Sequence, residues 1–233
     1  MLNSYQVYDH NTIFDISPRV EKVCLSSSGD VDFYELLSSV YVGKIKVDPQ
    51  EFFDKFDLAG LYIIYNNAIR ELKGMSIFKV SVNINKDFLY SKYIEKLATE
   101  NKSSSIFFEI SEAEQFKFSN DAYKRLEYLR DKYSIQFILD DFGAKNSNFD
   151  FIIKNRFHAV KIDKSAFWDF FENDKEFLSK LIGYLKLKTE KVVIEGVDSY
   201  EKYIYCQSNH CLMQGYFLER ASDLHETTPG LNR

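Results

Sequence analysis

The sequence predicts an α/β fold of about eight short strands alternating with helices, closed into a TIM-type (β/α)8 barrel. Three observations predict it. From residue 48 onward, β-rich runs alternate with amphipathic stretches, the pattern of a parallel sheet wrapped by helices. Of the 233 residues, 45% are hydrophobic, enough side chains for one sizeable core. Glycine (9) and proline (3) are scarce, and no linker or low-complexity tract divides the chain, so residues 1–233 read as one domain. Only the tail Thr227 to Arg233, with Pro229 and Gly230, reads as frayed.

The elements follow in order. Ile13 to Ile16 and Val31 to Tyr34 read as strands, with the serine cluster Ser26 to Gly29 as the turn between them. Asp48 as N-cap, Pro49 at the first helical position and Glu51 at the third open a helix through Phe52, Phe53 and Phe56. Phe78 to Val82 alternates as a strand does, and a helix opens near Asn85 and Asp87. Ile106 to Phe108 is the next strand, and Ala122, Leu126 and Leu129 mark a helix face. Ile135 to Leu139 is a strand, Asn148 to Lys154 a short helix, and Ala159 to Ile162 a strand. Phe177, Leu178, Leu181, Ile182 and Leu185 line an amphipathic helix. Val192 to Ile194, Tyr200 to Gln207 and Leu212 to Met213 complete the series as strand, helix and strand.

Composition excludes several function classes. The formal net charge is −5, and no block of five like charges occurs, so neither a DNA or RNA duplex nor an anionic membrane is an expected partner. A phosphate-bearing ligand would need a local device, a metal ion or one well-placed lysine. The polar start, Met1 to His10, does not read as a secretory signal. The richest apolar stretch, Leu58 to Tyr65, falls short of the ~20 residues that cross a bilayer. The expectation is a soluble, cytoplasmic protein. Cys24, Cys206 and Cys211 are an odd count, read as reduced thiols, and the C-x3-H-C spacing of Cys206, His210 and Cys211 matches no common zinc pattern.

The chemistry is expected where strands end. Glu35, Asn83, Glu109, Asp140 with Asp141, Lys161 with Asp163, Glu195 and Gln214 each lie at or just past a strand's C-terminal end. In a (β/α)8 barrel those ends open onto the face that carries the active site. Singly, each carboxylate reads as a solvated loop residue and Lys161 as a surface lysine; Asp163 counts among the catalytic candidates or else only orients Lys161. As a set recurring in phase with the barrel, they read as one pocket. Crowded carboxylates repel unless cations hold them, and with an amide among them they suit magnesium or manganese bound through oxygen. Two such ions about 3.5–4 Å apart would polarise a phosphoryl group, generate the nucleophile and clamp the entering and leaving oxygens, the chemistry of phosphodiester hydrolysis.

Seven short motifs now carry a resemblance: Tyr34-Glu35-Leu36-Leu37, Ser81-Val82-Asn83-Ile84-Asn85, Phe108-Glu109-Ile110-Ser111-Glu112, Asp140-Asp141-Phe142-Gly143, Lys161-Ile162-Asp163-Lys164-Ser165, Glu195-Gly196-Val197 and Gln214-Gly215-Tyr216. In this order, over about residues 13 to 224, the chain resembles the EAL-domain family, phosphodiesterases of the bacterial second messenger cyclic di-GMP. The resemblance implies the EAL variant of the barrel and a metal-dependent cut of one phosphodiester to give linear pGpG. It implies Glu35, Asn83, Glu109 and Asp140 as ligands of a first metal, and Asp140 with Asp141 reaching a second. Lys161 would position the attacked phosphate or the attacking water, Glu195 would serve as general base or metal-site carboxylate, and Gln214 would hold that lysine and glutamate in place. Glu112 resembles the glutamate that anchors the loop after Asp140-Asp141, a loop that in the family couples metal binding to dimer contacts, so a homodimer is expected.

Departures from the family pattern touch other positions. Gly143 is followed by Ala144-Lys145-Asn146-Ser147-Asn148 in place of Thr-Gly and a serine-rich turn, Ser39 stands for the usual arginine, and Ser17 for the usual glutamine before Pro18. They predict weaker substrate grip or altered control while sparing the ligands. The alternative is a silent EAL domain acting as a cyclic di-GMP receptor or protein-binding regulator. An unrelated metal-dependent phosphohydrolase on a similar barrel is a third reading. The run Phe167-Trp168-Asp169-Phe170-Phe171 reads as helix packing on the barrel, or else as an interface patch.

Overall fold

The computed structural model describes residues 2–9, 12–111, 120–144 and 149–218. Its backbone groups into two compact units, one of Met1–Glu21, Tyr34–Ile110 and Glu114–Phe137, the other of Lys22–Phe33, Ser111–Ala113 and Ile138–Arg233. The tail from Thr227, Glu112 and the stretch Lys145 to Asn148 lie outside the described residues.

In the first unit, β1 (Tyr5–Asp9) pairs antiparallel with β2 (Thr12–Leu25). The strand β3 (Val31–Val42) turns at Gly43-Lys44 into β4 (Ile45–Val47), and Gly43 takes a φ of 59° there. A positive φ at that corner is what glycine supplies without a Cβ clash. From Tyr34 on, β3 runs parallel to β5 (Lys79–Asn83), which runs parallel to β6 (Ser105–Ser111). The register sets Glu35 opposite Ser81 and Asn83 opposite Glu109.

The helices of this unit show how caps and spacing place them. Asp48 caps α1 (Pro49–Lys55), accepting from the Gln50 amide at 2.9 Å, as its sequence predicts. The apolar stretch from Leu58 opens α2 (Leu58–Gly74), capped by Asp57 through the amides of Ala59 and Gly60. Leu61, Ile64, Ala68, Ile69 and Leu72 form its buried stripe, with Tyr62 and Tyr65 buried beside them. Then come α3 (Lys86–Tyr90), α4 (Lys92–Glu100) and α5 (Asn120–Tyr133). Arg125 of α5 donates from Nε to the Leu89 carbonyl (3.0 Å), from Nη2 to the Ser91 carbonyl (3.1 Å) and from Nη1 to Glu95 Oε1 (2.9 Å). One guanidinium thus satisfies the backbone where α3 gives way to α4.

In the second unit, β7 (Gln136–Phe142), β8 (Ala159–Ile162), β9 (Lys191–Ile194) and β10 (Leu212–Met213) pair in parallel, neighbour to neighbour. Every residue of β8 is buried, the signature of a parallel strand covered on both faces. One pairing is antiparallel: Leu212 meets Leu25 and Met213 meets Cys24 of β2. The turn after Leu25, closed by its amide on the Asp30 carbonyl at 2.8 Å, reverses the chain. Helices α6 (Phe149–Lys154), α7 (Lys164–Asn173), α8 (Lys175–Lys186) and α9 (Tyr200–Ser208) connect these strands.

The aromatic run belongs to α7. Phe167 and Phe171 are buried, each against Tyr205 of α9, and Phe170 tilts onto Phe177. Cys24, Cys206 and Cys211 are buried free thiols, and burial pushes the Cys206 and Cys211 thiols up, the latter to about 12. Among the described residues no helix is long and apolar enough to cross a membrane.

Replacing Arg125 by Met keeps the apolar stem and strips three bonds to a charged donor. The expected loss is about 2 kcal/mol, or roughly 4–8 °C in melting temperature for a chain of this size, read by thermal denaturation.

Candidate active site

The first unit brings together three of the residues singled out in the sequence. Glu35 lies inside β3, because the strand runs on to Val42 instead of ending at Tyr34. Asn83 closes β5 and donates from Nδ2 to Glu35 Oε1 at 2.9 Å. Glu109, opposite Asn83 in register, is fully buried, and one of its carboxylate oxygens lies within 4.8 Å of one from Glu35.

Two further groups fix this backbone. The Tyr65 hydroxyl donates to the Asn83 carbonyl at 2.8 Å, and the Ile84 amide to the Glu109 carbonyl at 3.0 Å. Burial raises the Tyr65 phenol's pKa, so it stays protonated and able to donate. Two carboxylates this deep and this close are held in water-poor surroundings at a cost that a cation relieves. Hard oxygen donors with an amide beside them fit magnesium or manganese.

In the second unit the central feature is Lys161 on β8. It is 1% exposed, and its Nζ lies 3.1 Å from Asp140 Oδ1 and 2.8 Å from Glu195 Oε1. Asp140 and Asp141 are neighbours in β7, and in a regular strand their side chains would point to opposite faces. The strand shifts register between Leu139 and Phe142, and Asp141 takes a φ of 59°. The irregularity re-aims the second carboxylate. As a result Asp140, Asp141 and Glu195 each offer an oxygen within 4.8 Å of the other two. Ser111 Oγ donates to Asp141 Oδ2 at 2.7 Å and steadies it.

Backbone bonds tie the strand ends. The Glu195 amide donates to the Ile162 carbonyl (3.2 Å), the Gln214 amide to the Ile194 carbonyl (2.9 Å) and the Val197 amide to the Gln214 carbonyl (3.1 Å). Gln214 is buried. Gly215 lets the two segments approach: a Cβ there would sit 2.5 Å from the Val197 nitrogen and oxygen.

Asp163 has a different placement. Its Oδ1 accepts from the amides of Ser165 (2.8 Å) and Ala166 (3.2 Å) and from the Ser165 hydroxyl, so it caps α7 directly after the strand that carries Lys161. Ser111 stands within a motif the sequence reading singled out, but hydroxyls bear no charge signal. Tyr65 sits mid-helix and carries no local mark at all.

Comparison with known proteins places these residues in a family. The family profile described as EAL domain matches residues 24–221. Over 98 residues the chain is 32% identical to the Pseudomonas aeruginosa protein named Cyclic di-GMP phosphodiesterase NbdA, a match covering 41% of this chain and 12% of that protein. The structure of the EAL enzyme Bd1971 in its cAMP- and cyclic-di-GMP-bound form superposes with a TM-score of 0.75 at 19% identity. That superposition covers 90% of this chain and 64% of that one. The FimX EAL domain from Pseudomonas aeruginosa bound to c-di-GMP superposes with a TM-score of 0.69 at 20% identity, covering 87% and 88%. These likenesses establish the fold class as the (β/α)8 barrel of the EAL proteins, as the sequence predicts.

Lys161→Met removes the ammonium that Asp140 and Glu195 share and leaves buried carboxylates facing one another. Without added divalent ions, urea denaturation is expected to show a loss of about 3–5 kcal/mol at neutral pH.

Proposed function

Because this chain belongs to the EAL domain family, we propose that it is a metal-dependent cyclic di-GMP phosphodiesterase, opening one phosphodiester to give linear pGpG. The observation that carries the reading is Lys161, buried between Asp140 and Glu195 with Asp141 in the same cluster. A lysine so placed is the local cation that an acidic chain needs for a phosphate ligand. The name of the Pseudomonas aeruginosa relative, a cyclic di-GMP phosphodiesterase, agrees.

In this reading Glu35, Asn83, Glu109 and Asp140 hold one divalent ion, and Asp140 with Asp141 reach a second. Magnesium or manganese, when bound, supplies Lewis-acid polarisation of the phosphoryl group and lowers the pKa of the attacking water. The chain's own groups do the rest. Lys161 orients the attacked phosphate or the water beside it, and Glu195 accepts the proton that the water gives up. Gln214 is proposed to help hold Lys161 and Glu195 in place, and its carbonyl accepts from the Val197 amide two residues beyond Glu195. Ser111 and the bulge at Asp140-Asp141 fix the direction of the second carboxylate. Glu112 is proposed as the anchor of the loop that follows.

A second reading, a receptor that binds cyclic di-GMP without cutting it, rests on Ser17, Ser39 and Ala144, which stand where the family pattern has glutamine, arginine and threonine. The departures lie at positions of grip and loop mobility, and the carboxylates that would carry the chemistry are all present.

The deciding experiment is hydrolysis of cyclic di-GMP by the purified protein with magnesium, then with manganese, beside Glu35→Ala. The expected outcome is metal-dependent pGpG, reduced at least about a hundredfold in the variant. Calorimetric binding without turnover under either metal would favour the receptor.

A further inference from the structure

The sequence contains one tryptophan, Trp168, in the aromatic run of α7 whose Phe167 and Phe171 are buried. It stands on α7, whose N-cap Asp163 follows two residues after Lys161. Its indole Nε1 donates to the Gly196 carbonyl at 2.8 Å, and Gly196 is the residue directly after Glu195. Two ammoniums lie over the ring, Lys164 Nζ at 4.3 Å and Lys202 Nζ at 4.5 Å from its centroid. Lys202 is itself tied to Asp198 at 3.0 Å. Two cation–π contacts and the bond to Gly196 therefore restrain the indole.

Gly196 needs such a hold. Its φ is 70°, and a Cβ would lie 2.4 Å from Lys164 Cγ, so the chain turns sharply against the start of α7. A glycine in this region gains no restraint from its own side chain. Its neighbours are held from other sides, Glu195 by its amide on Ile162 and Val197 by its amide on Gln214. The indole supplies the restraint on the carbonyl between them.

We propose that Trp168 is a positioning residue for Glu195, acting through the Gly196 carbonyl. The helix that starts just after Lys161 reaches across to the turn after Glu195 and fixes the 2.8 Å approach of the two side chains. The proposal rests on the phosphodiesterase reading for its catalytic consequence but not for its structural one.

The test uses Trp168→Phe, which keeps an aromatic ring beside Lys164 and Lys202 and deletes the N–H. In a cyclic di-GMP hydrolysis assay, kcat is expected to fall roughly tenfold with KM within about twofold, and the acid limb of the pH profile to move. By hydrogen exchange, the Val197 amide is expected to exchange roughly tenfold faster while the amides of α8 keep their rates. Unchanged kcat and pH profile, or unchanged Val197 exchange, would overturn the proposal. If the unaltered protein turns over no cyclic di-GMP, the functional reading has failed and Val197 exchange alone decides. Should the variant not fold, exchange of the indole N–H in the unaltered protein decides, protection supporting the bond and free exchange removing it.

Discussion

Much of the second unit depends on a single electrostatic constraint, a lysine buried in the middle of a strand. Placing an ammonium at 1% exposure costs several kcal/mol unless anions meet it in good geometry. Asp140 at 3.1 Å, from β7, and Glu195 at 2.8 Å, directly after β9, meet that demand from either side of β8. Such a cluster is poor evidence for net stability, since replacing all of its members together by well-packed apolar residues is often neutral or stabilising, although removing the lysine alone strands the carboxylates. In the proposed function its presence is explained by chemistry that needs a fixed charge. The rest of β8, Ala159, Val160 and Ile162, is apolar and buried, so the lysine is clamped by packing as well as by charge.

Around that lysine the backbone is shaped by exceptions to regular structure. Asp141 adopts a left-handed conformation that non-glycine residues visit rarely, Asp among the more tolerant. Gly196 and Gly215 remove side chains where a turn meets Lys164 and where two segments touch. Each feature by itself is a modest cost. Together they place Asp140, Asp141 and Glu195 within reach of one another, which a strand of strict alternation does not achieve for adjacent residues.

Legibility in the sequence followed the same division. The alternation of strands and helices, the cap at Asp48 and the runs that became β5 to β10 were readable because they are local: period, propensity and cap chemistry lie within a few residues. β1 and β4 were not readable, since they owe their strand state to partners in β2 and β3. The stripe of α2 was masked because Tyr62 and Tyr65 are buried alongside the aliphatic positions. The site residues were visible as strand-end carboxylates, yet Glu35 lies within a longer strand and Asp163 spends Oδ1 on a helix cap. The first outcome turns on where an element ends, the feature a sequence pattern fixes least well; the second does not, since β8 ends at Ile162 as expected and Asp163 caps the helix that follows. Trp168 was seen as part of an aromatic run, but its bond to Gly196 depends on tertiary placement and leaves no trace in spacing.

The two carboxylate clusters make a common physical argument, each in its own unit. Glu35 with Glu109, and Asp140 with Asp141 and Glu195, bring like charges to within 4.8 Å. A fold selected for stability alone would spread them apart or replace them, since like charges in poorly solvated surroundings raise the folded state's energy. A ligand that binds the folded state and neutralises those charges lowers its energy by the whole of the interaction, because the unfolded chain offers no such cluster. In the proposed function, the repulsion built into the clusters would be recovered as affinity for a divalent cation. The carboxylates are set by buried strands, an asparagine and a lysine. Ala144 is none of those supports, so its departure from the family pattern leaves in place the charges on which the proposed cation binding would depend.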